Sequence, residues 1–217
     1  MPALRGVQHS GADCTWALDN ILRIIAGTFR SRRLASLKGD EIRPTSDRLR
    51  ETLFNVLTPG NPSALKGSVW LDLFAGTGAV GIEAISRGAA MVYFVDSAKD
   101  AVELIRSNLQ PLGVSGSFQI FQQKSERAIL TLDRQQIRPD FIFLDPPYAL
   151  GEAYQKTLEA LGDSAIAEKA LVIAEHERKN DLAEEYGPLR RTRKLEQGDA
   201  ALSFYRRSGS KLAVNRD

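Results

Sequence analysis

The feature that most constrains the fold is a compact apolar run that ends in a glycine turn and opens directly into a helix. Val69–Phe74 is too short for a buried helix and reads as a strand; Gly76-Thr77-Gly78-Ala79-Val80-Gly81 follows, and Ala79–Arg87 has helical character. The same alternation continues downstream. Met91–Val95 reads as a strand ending at Asp96, and Ala98–Leu112 as an amphipathic helix with Ala98, Val102, Ile105 and Leu109 in register. Ser117–Phe121 and Phe141–Leu144 are further strands, separated by a short helix near Glu126–Leu132. Glu152–Leu161 is helical and Ala170–Glu175 is a fifth strand. Strands alternating with helices predict an α/β chain, a doubly wound parallel sheet covered on both faces. Leu189–Leu195 and Ala201–Tyr205 turn around Gly198-Asp199 with no helix between them, which predicts an antiparallel edge.

The 217 residues suffice for one domain with a small appendage. The expected organisation is a poorly ordered extension over 1–21, an N-terminal hairpin and helix over 22–62, the main domain over 63–207 and a tail over 208–217. Leu22–Ala26 and Phe29–Leu34 predict a short hairpin around Gly27-Thr28. Thr45 or Ser46 is the expected N-cap of the next helix, with Asp47 in its first turn. Leu49, Leu53, Val56 and Leu57 share one face of that helix; Arg48, Glu51 and Asn55 lie on another. The single cysteine, Cys14, excludes an intrachain disulfide and a cysteine-based zinc site. No metal is expected. No apolar run approaches the ~20 residues of a membrane span, and no signal peptide is evident, so a cytoplasmic protein without a membrane partner is expected. A monomer is the expected state, with no sequence feature that decides it.

The net charge of +2 is unevenly spread: Arg23–Arg50 holds eight Lys or Arg against three acids, and 188–217 again eight against three. Basic ends on a near-neutral chain imply an anionic partner such as nucleic acid, or else a solvated surface. Arg30, Arg32 and Arg33 near the hairpin are candidate substrate contacts, gripping phosphate; Arg43 and Arg48 are candidates too, either gripping phosphate or folding over a bound cofactor, or else belong to a capped surface helix.

Sheets of this type bind ligands at the carboxyl ends of their strands, where strand order reverses. G-x-G-x-x-G alone would equally suit a dinucleotide, whose pyrophosphate sits at a helix N-terminus. Asp72, on the strand just before the turn, suits a cationic amino group better than a pyrophosphate, and Phe74-Ala75 leads straight into the glycines. These details favour S-adenosylmethionine as cofactor, with Asp72, Phe74, Ala75, Gly76, Gly78 and Gly81 as its loop and Asp96 accepting from the ribose hydroxyls.

Asp145-Pro146-Pro147-Tyr148 follows the apolar strand at the same edge of the sheet. Two prolines fix the backbone and remove two N–H donors, leaving an acceptor surface made of the Asp145 carboxylate and the Pro146 carbonyl. An exocyclic amine offers two donors to such a pair, which would hold its lone pair toward a methyl donor. Tyr148 offers a flat face for a base that has left its stack. Asp145, Pro146, Pro147 and Tyr148 are therefore the candidate catalytic residues. His176, at a strand end, reads as structural, because methylation of an amine by a sulfonium needs no strong base.

These stations resemble the amino-methyltransferases that carry [DNS]-P-P-[FYW]. Arg43-Pro44-Thr45-Ser46-Asp47-Arg48-Leu49-Arg50-Glu51-Thr52-Leu53-Phe54-Asn55 is similar to a signature of the RsmD family, and Arg23-Ile24-Ile25-Ala26-Gly27 to the start of its members. The resemblance covers residues 22–207. It implies a Rossmann-like methyltransferase fold with a small N-terminal element, and methylation of the exocyclic N2 of a guanine in small-subunit ribosomal RNA, free or within a subunit. Where the family often places Gly-Asp beside the adenine, this chain reads Gln123-Lys124-Ser125-Glu126, so Ser125 and Glu126 take that position. A DNA or other RNA adenine or cytosine amino-methyltransferase is the alternative on the same chemistry, although the chain has little room for a domain that reads base edges. A dinucleotide oxidoreductase and a non-catalytic RNA-binding protein are the remaining readings.

Overall fold

The computed structural model describes residues 22–36, 44–147 and 151–209; the expected extension over 1–21, Arg43, Tyr148 and the tail beyond Gly209 lie outside these. In chain order the elements are α1 (Pro44–Leu57), β1 (Val69–Leu73), α2 (Ala79–Ser86), β2 (Met91–Asp96), α3 (Lys99–Leu109), β3 (Phe118–Gln122) and α4 (Ser125–Arg134). There follow β4 (Phe141–Leu144), α5 (Gly151–Asp163), β5 (Leu171–Glu177), β6 (Glu185–Tyr186), β7 (Leu189–Gln197) and β8 (Ala200–Arg207). The strands form one sheet in the order β3-β2-β1-β4-β5-β8-β7-β6. β1 to β5 pair in parallel, while β8, β7 and β6 add antiparallel strands beyond β5. This is the expected Rossmann-like architecture with an antiparallel edge. Strand order reverses between β1 and β4, which opens a crevice at their carboxyl ends.

The alternation of side chains along the strands divides the core into two layers. Trp70 points toward α1, α2 and α3, where it stacks between Phe54 and Phe141 at centroid distances of 5.4 and 4.6 Å and packs with Ile82, Phe94 and Ile105. Leu71 and Leu73 point the other way, toward Ile129 and Leu132 of α4 and Leu158 of α5. Full burial of each such side chain stabilises the fold by about 1.5–3 kcal/mol. Among the described residues no helix is long and apolar enough to cross a membrane.

Several boundaries differ from the sequence reading, each for a local reason. β1 stops at Leu73 because Phe74 takes a positive φ of 60°. The helix expected over Ala98–Leu112 is α3 followed by a 3-10 turn at Gln110–Leu112, since Pro111 cannot continue an α-helical ladder. α1 starts at Pro44, so Thr45 and Ser46 lie inside the helix and are not its N-cap; proline is favoured in a first turn, where its missing N–H costs nothing. Leu49 and Leu53 are buried as expected, and Arg48, Glu51 and Asn55 are exposed.

The expected hairpin over 22–34 is reduced to a strap. It has one antiparallel bridge, Arg23 to Arg33, and three backbone hydrogen bonds of 2.8–2.9 Å linking Leu22 or Ile24 to Ser31, Arg32 and Leu34. Side chains of α2 and α3 hold it in place of strand pairing. Glu83, fully buried, accepts from the N–H groups of Ile25 (2.7 Å) and Ala26 (2.9 Å) and from Arg87 Nε (2.7 Å). The Ser86 hydroxyl donates to the Ala26 carbonyl at 2.6 Å and accepts from Phe29 N at 3.0 Å.

Candidate functional site

The register of the sheet brings the predicted acids to one edge. Leu73 pairs with Val95 of β2 and with Leu144 of β4, so Phe74, Asp96 and Asp145 stand at the same level where three adjacent strands end. Asp72 lies two residues further back on β1. It is 2% exposed, and its Oδ2 accepts from the Gly81 N–H at 2.9 Å. Burial, opposed by the Gly81 N–H and helped by the negative charges of Asp145 and Asp96, raises its carboxyl to about 8. Three acids thus converge on the switch point of the sheet.

The glycine turn is shaped by these acids. Asp96 Oδ2 accepts from Gly76 N and Oδ1 from Ala98 N, both at 2.9 Å, and each oxygen keeps a second lone pair for a hydroxyl donor. Gly76 has a φ of 52°, and a β-carbon there would meet nothing closer than Phe74 O at 3.9 Å. A side chain at Gly76 would therefore occupy open space at the turn. Phe74, a bulky residue in the left-handed region, is strained backbone at the end of β1, as occurs where a site constrains the chain.

Gly81 does not have the ligand-binding place expected for it. It is buried under the sheet, and a β-carbon there would lie 2.2 Å from Phe94 Cε1. Its absent side chain lets α2 approach β2, and its N–H is taken by Asp72. Asp72 likewise lies behind the turn, buried and bonded to α2 through the Gly81 N–H, and is not an open contact.

Beside the turn lies a cavity of about 450 Å³ over the ends of β1, β2 and β3 and the first turns of α4 and α5. Phe74, Asp96, Ser125 and Glu126, four of the residues expected to hold the cofactor, line it. Ser125 is buried, its hydroxyl 3.0 Å from that of Thr157 and 3.2 Å from Glu126 Oε2. Ser97, Gln123 and Lys124 also line the cavity, with Glu152, Ala153 and Lys156 from α5. The α5 residues were not anticipated; the signal was the helix that begins three residues after the D-P-P-Y tetrapeptide. Among the described residues, Asp145 and the glycines stand outside this lining, toward the β1–β4 crevice.

Pro146 is buried and Pro147 exposed. The Tyr154 hydroxyl donates to the Glu175 carbonyl at 2.8 Å and lies 3.4 Å from the Pro146 carbonyl, bracing the turn against β5. His176 is removed from the chemistry. Its Nδ1 faces the carbonyls of Glu177 (2.9 Å) and Asn180 (3.2 Å) and so carries the proton, while Nε2 accepts from the Ser203 hydroxyl at 2.9 Å. Burial holds the imidazole below its ordinary value.

Arg30, Arg32 and Arg33 are exposed on the strap and Arg48 on α1; none of them lines the cavity. Arg50, in the same basic stretch, is instead a buried strut whose Nη2 donates to the Arg23 carbonyl (2.6 Å) and to Asp47 (2.9 Å).

The family profile described as Conserved hypothetical protein 95 matches residues 22–206. YlbH of Bacillus subtilis is 36% identical over 190 residues, 87% of this chain and 100% of that one. The Ribosomal RNA small subunit methyltransferase D of Haemophilus influenzae is 36% identical over 161 residues, 74% of this chain and 81% of that one. The solved structure of yhhF from Escherichia coli superposes with a TM-score of 0.70 at 30% identity, covering 86% of this chain and 97% of the other.

Proposed function

The chain belongs to the RsmD family, and on that premise we propose that it transfers a methyl group from S-adenosylmethionine to the exocyclic N2 of a guanine in small-subunit ribosomal RNA. The observation that carries this reading is the convergence of Asp72, Asp96 and Asp145 on the carboxyl ends of β1, β2 and β4. The half-buried carboxylates of Asp96 and Asp145, with the ionisable Asp72 behind them, suit a ligand bearing an ammonium and a sulfonium and oppose a pyrophosphate, which separates this reading from that of a dinucleotide enzyme.

The residues present fit the cofactor. Asp96 keeps lone pairs toward the cavity for ribose hydroxyls, the bare Gly76 leaves room for close approach, and Ser125 and Glu126 stand where the adenine would lie. The cofactor, when bound, supplies an electrophilic methyl group. The rest of the reaction falls to the chain. Asp145 and the Pro146 carbonyl accept the two hydrogens of the target amine and turn its lone pair toward the crevice; alignment of this kind supplies much of a rate enhancement. The amine becomes acidic once alkylated, and Asp145 is placed to take its proton. Tyr148 holds the flipped base by its face. Arg30, Arg32, Arg33, Arg43 and Arg48 position phosphates.

Calorimetry and labelling test the proposal. Purified protein should bind S-adenosylhomocysteine and not NAD. It should also pass label from methyl-labelled S-adenosylmethionine to small subunits from a strain lacking the protein. Binding of NAD in its place would return the dinucleotide reading, and transfer to DNA but not to ribosomal RNA would return the alternative methyltransferase.

A further inference from the structure

Asn108, near the end of α3, is 5% exposed and joins two parts of the molecule that the chain separates widely. Its Oδ1 accepts from Ala35 N at 2.7 Å, and its Nδ2 donates to Ala35 O at 3.1 Å and to Thr77 O at 2.9 Å. Ala35 ends the strap two residues after Arg33. Thr77 is the middle residue of the glycine turn, between Gly76, held by Asp96, and Gly78, which opens α2. Both N–H groups of the amide are thus spent, one on each element. The other end of the strap is held by Glu83 and Ser86 of α2, the helix that the same turn begins. No other side chain among the described residues hydrogen-bonds both the strap and the glycine turn.

We propose that Asn108 is a positioning residue that couples RNA engagement by the strap to cofactor occupancy of the glycine turn. This inference rests on the functional reading above. Phosphate held at Arg33 bears on Ala35 two residues on, Ala35 bears on the amide, and the amide bears on the Thr77–Gly78 peptide that the cofactor meets. Coupling of this kind is reciprocal: the factor by which cofactor tightens RNA binding equals the factor by which RNA tightens cofactor binding.

The test measures the affinity of the full chain for small subunits lacking the methyl group, with and without saturating S-adenosylhomocysteine. The parent should bind about five-fold or more tightly with it. In Asn108→Ala the ratio should fall to about one. Asn108→Asp keeps the acceptor for Ala35 N but sets a carboxylate against the Ala35 and Thr77 carbonyls, so the urea midpoints of both variants separate a fold defect from lost coupling. Either variant that keeps the parental midpoint should bind S-adenosylhomocysteine about ten-fold more weakly and lose the ratio. A merely structural residue would weaken both affinities and leave the ratio intact; that result, or a parent ratio of one, overturns the inference alone. A parent that binds neither S-adenosylhomocysteine nor subunits overturns the functional reading instead.

Discussion

Asp145 follows directly on β4, level with the strained Phe74 and the carboxylate of Asp96, and in the proposed reaction it accepts from the target amine. Asp145→Ala should lower the single-turnover methylation rate by at least about 100-fold, while S-adenosylhomocysteine affinity stays within about three-fold. Parental activity in that variant would remove the acceptor role. Asp72 makes a different prediction. Its carboxyl, pushed up to about 8 mainly by burial and further by Asp145 and Asp96, holds a proton at neutral pH that the unfolded chain does not. The stability this gives is fully present below the ordinary carboxylate range and is lost as pH rises through about 8. A cationic ligand in front of the three acids favours the charged form, so binding expels that proton. Affinity for S-adenosylmethionine should then rise from about pH 6 and level off above about pH 8, and Asp72→Asn should flatten the profile. Calorimetry across that range decides the matter; a flat profile in the parent would contradict the placement of positive charge at the switch point. That Asp96 and Asp145 stand at one edge of the sheet was legible in the sequence, because one ends and the other directly follows an apolar strand. The true place of Gly81 was not, since the 2.2 Å approach of Phe94 depends on how α2 settles on β2.

The strap and the helices beneath it are held by polar side chains that the sequence does not announce. Glu83 sits in the apolar helix Ala79–Ser86, and Asn108 near the end of an amphipathic one; either reads as a solvent-facing residue until the strap is laid over it. Their partners in the strap lie 57 or more residues away, beyond the reach of periodicity. Glu83→Ala would strand two backbone N–H groups and Arg87 and should cost about 3 kcal/mol, seen as a lower urea midpoint with an unchanged slope. A loss under about 0.5 kcal/mol would mean that the strap docks without it. Neutralising Arg30, Arg32 and Arg33 together tests the outer face of the same element. RNA binding should weaken and its logarithmic salt slope fall by about 2, with cofactor affinity unchanged. An unaltered slope would move the phosphate contacts off the strap.

The whole molecule is an eight-stranded sheet whose parallel half carries the site and whose antiparallel edge completes it. That division was legible, because apolar strands alternating with amphipathic helices leave little choice of topology. The two-residue strand β6 was not, being too short to show a period. Nor were the walls that α5 gives the cavity, which depend on how the chain returns after Pro147. What the fold assembles is a cavity and three acids at the carboxyl ends of the parallel strands, next to a basic strap. Its most direct test is to incubate the purified chain with methyl-labelled S-adenosylmethionine and small subunits from a strain lacking it, then map the labelled nucleotide by mass spectrometry. The account predicts one methyl group, on the exocyclic N2 of a single guanine in the small-subunit ribosomal RNA, formed by the parent and not by Asp145→Ala. Label on a ring nitrogen, on ribose or on protein, or equal label from Asp145→Ala, would contradict it.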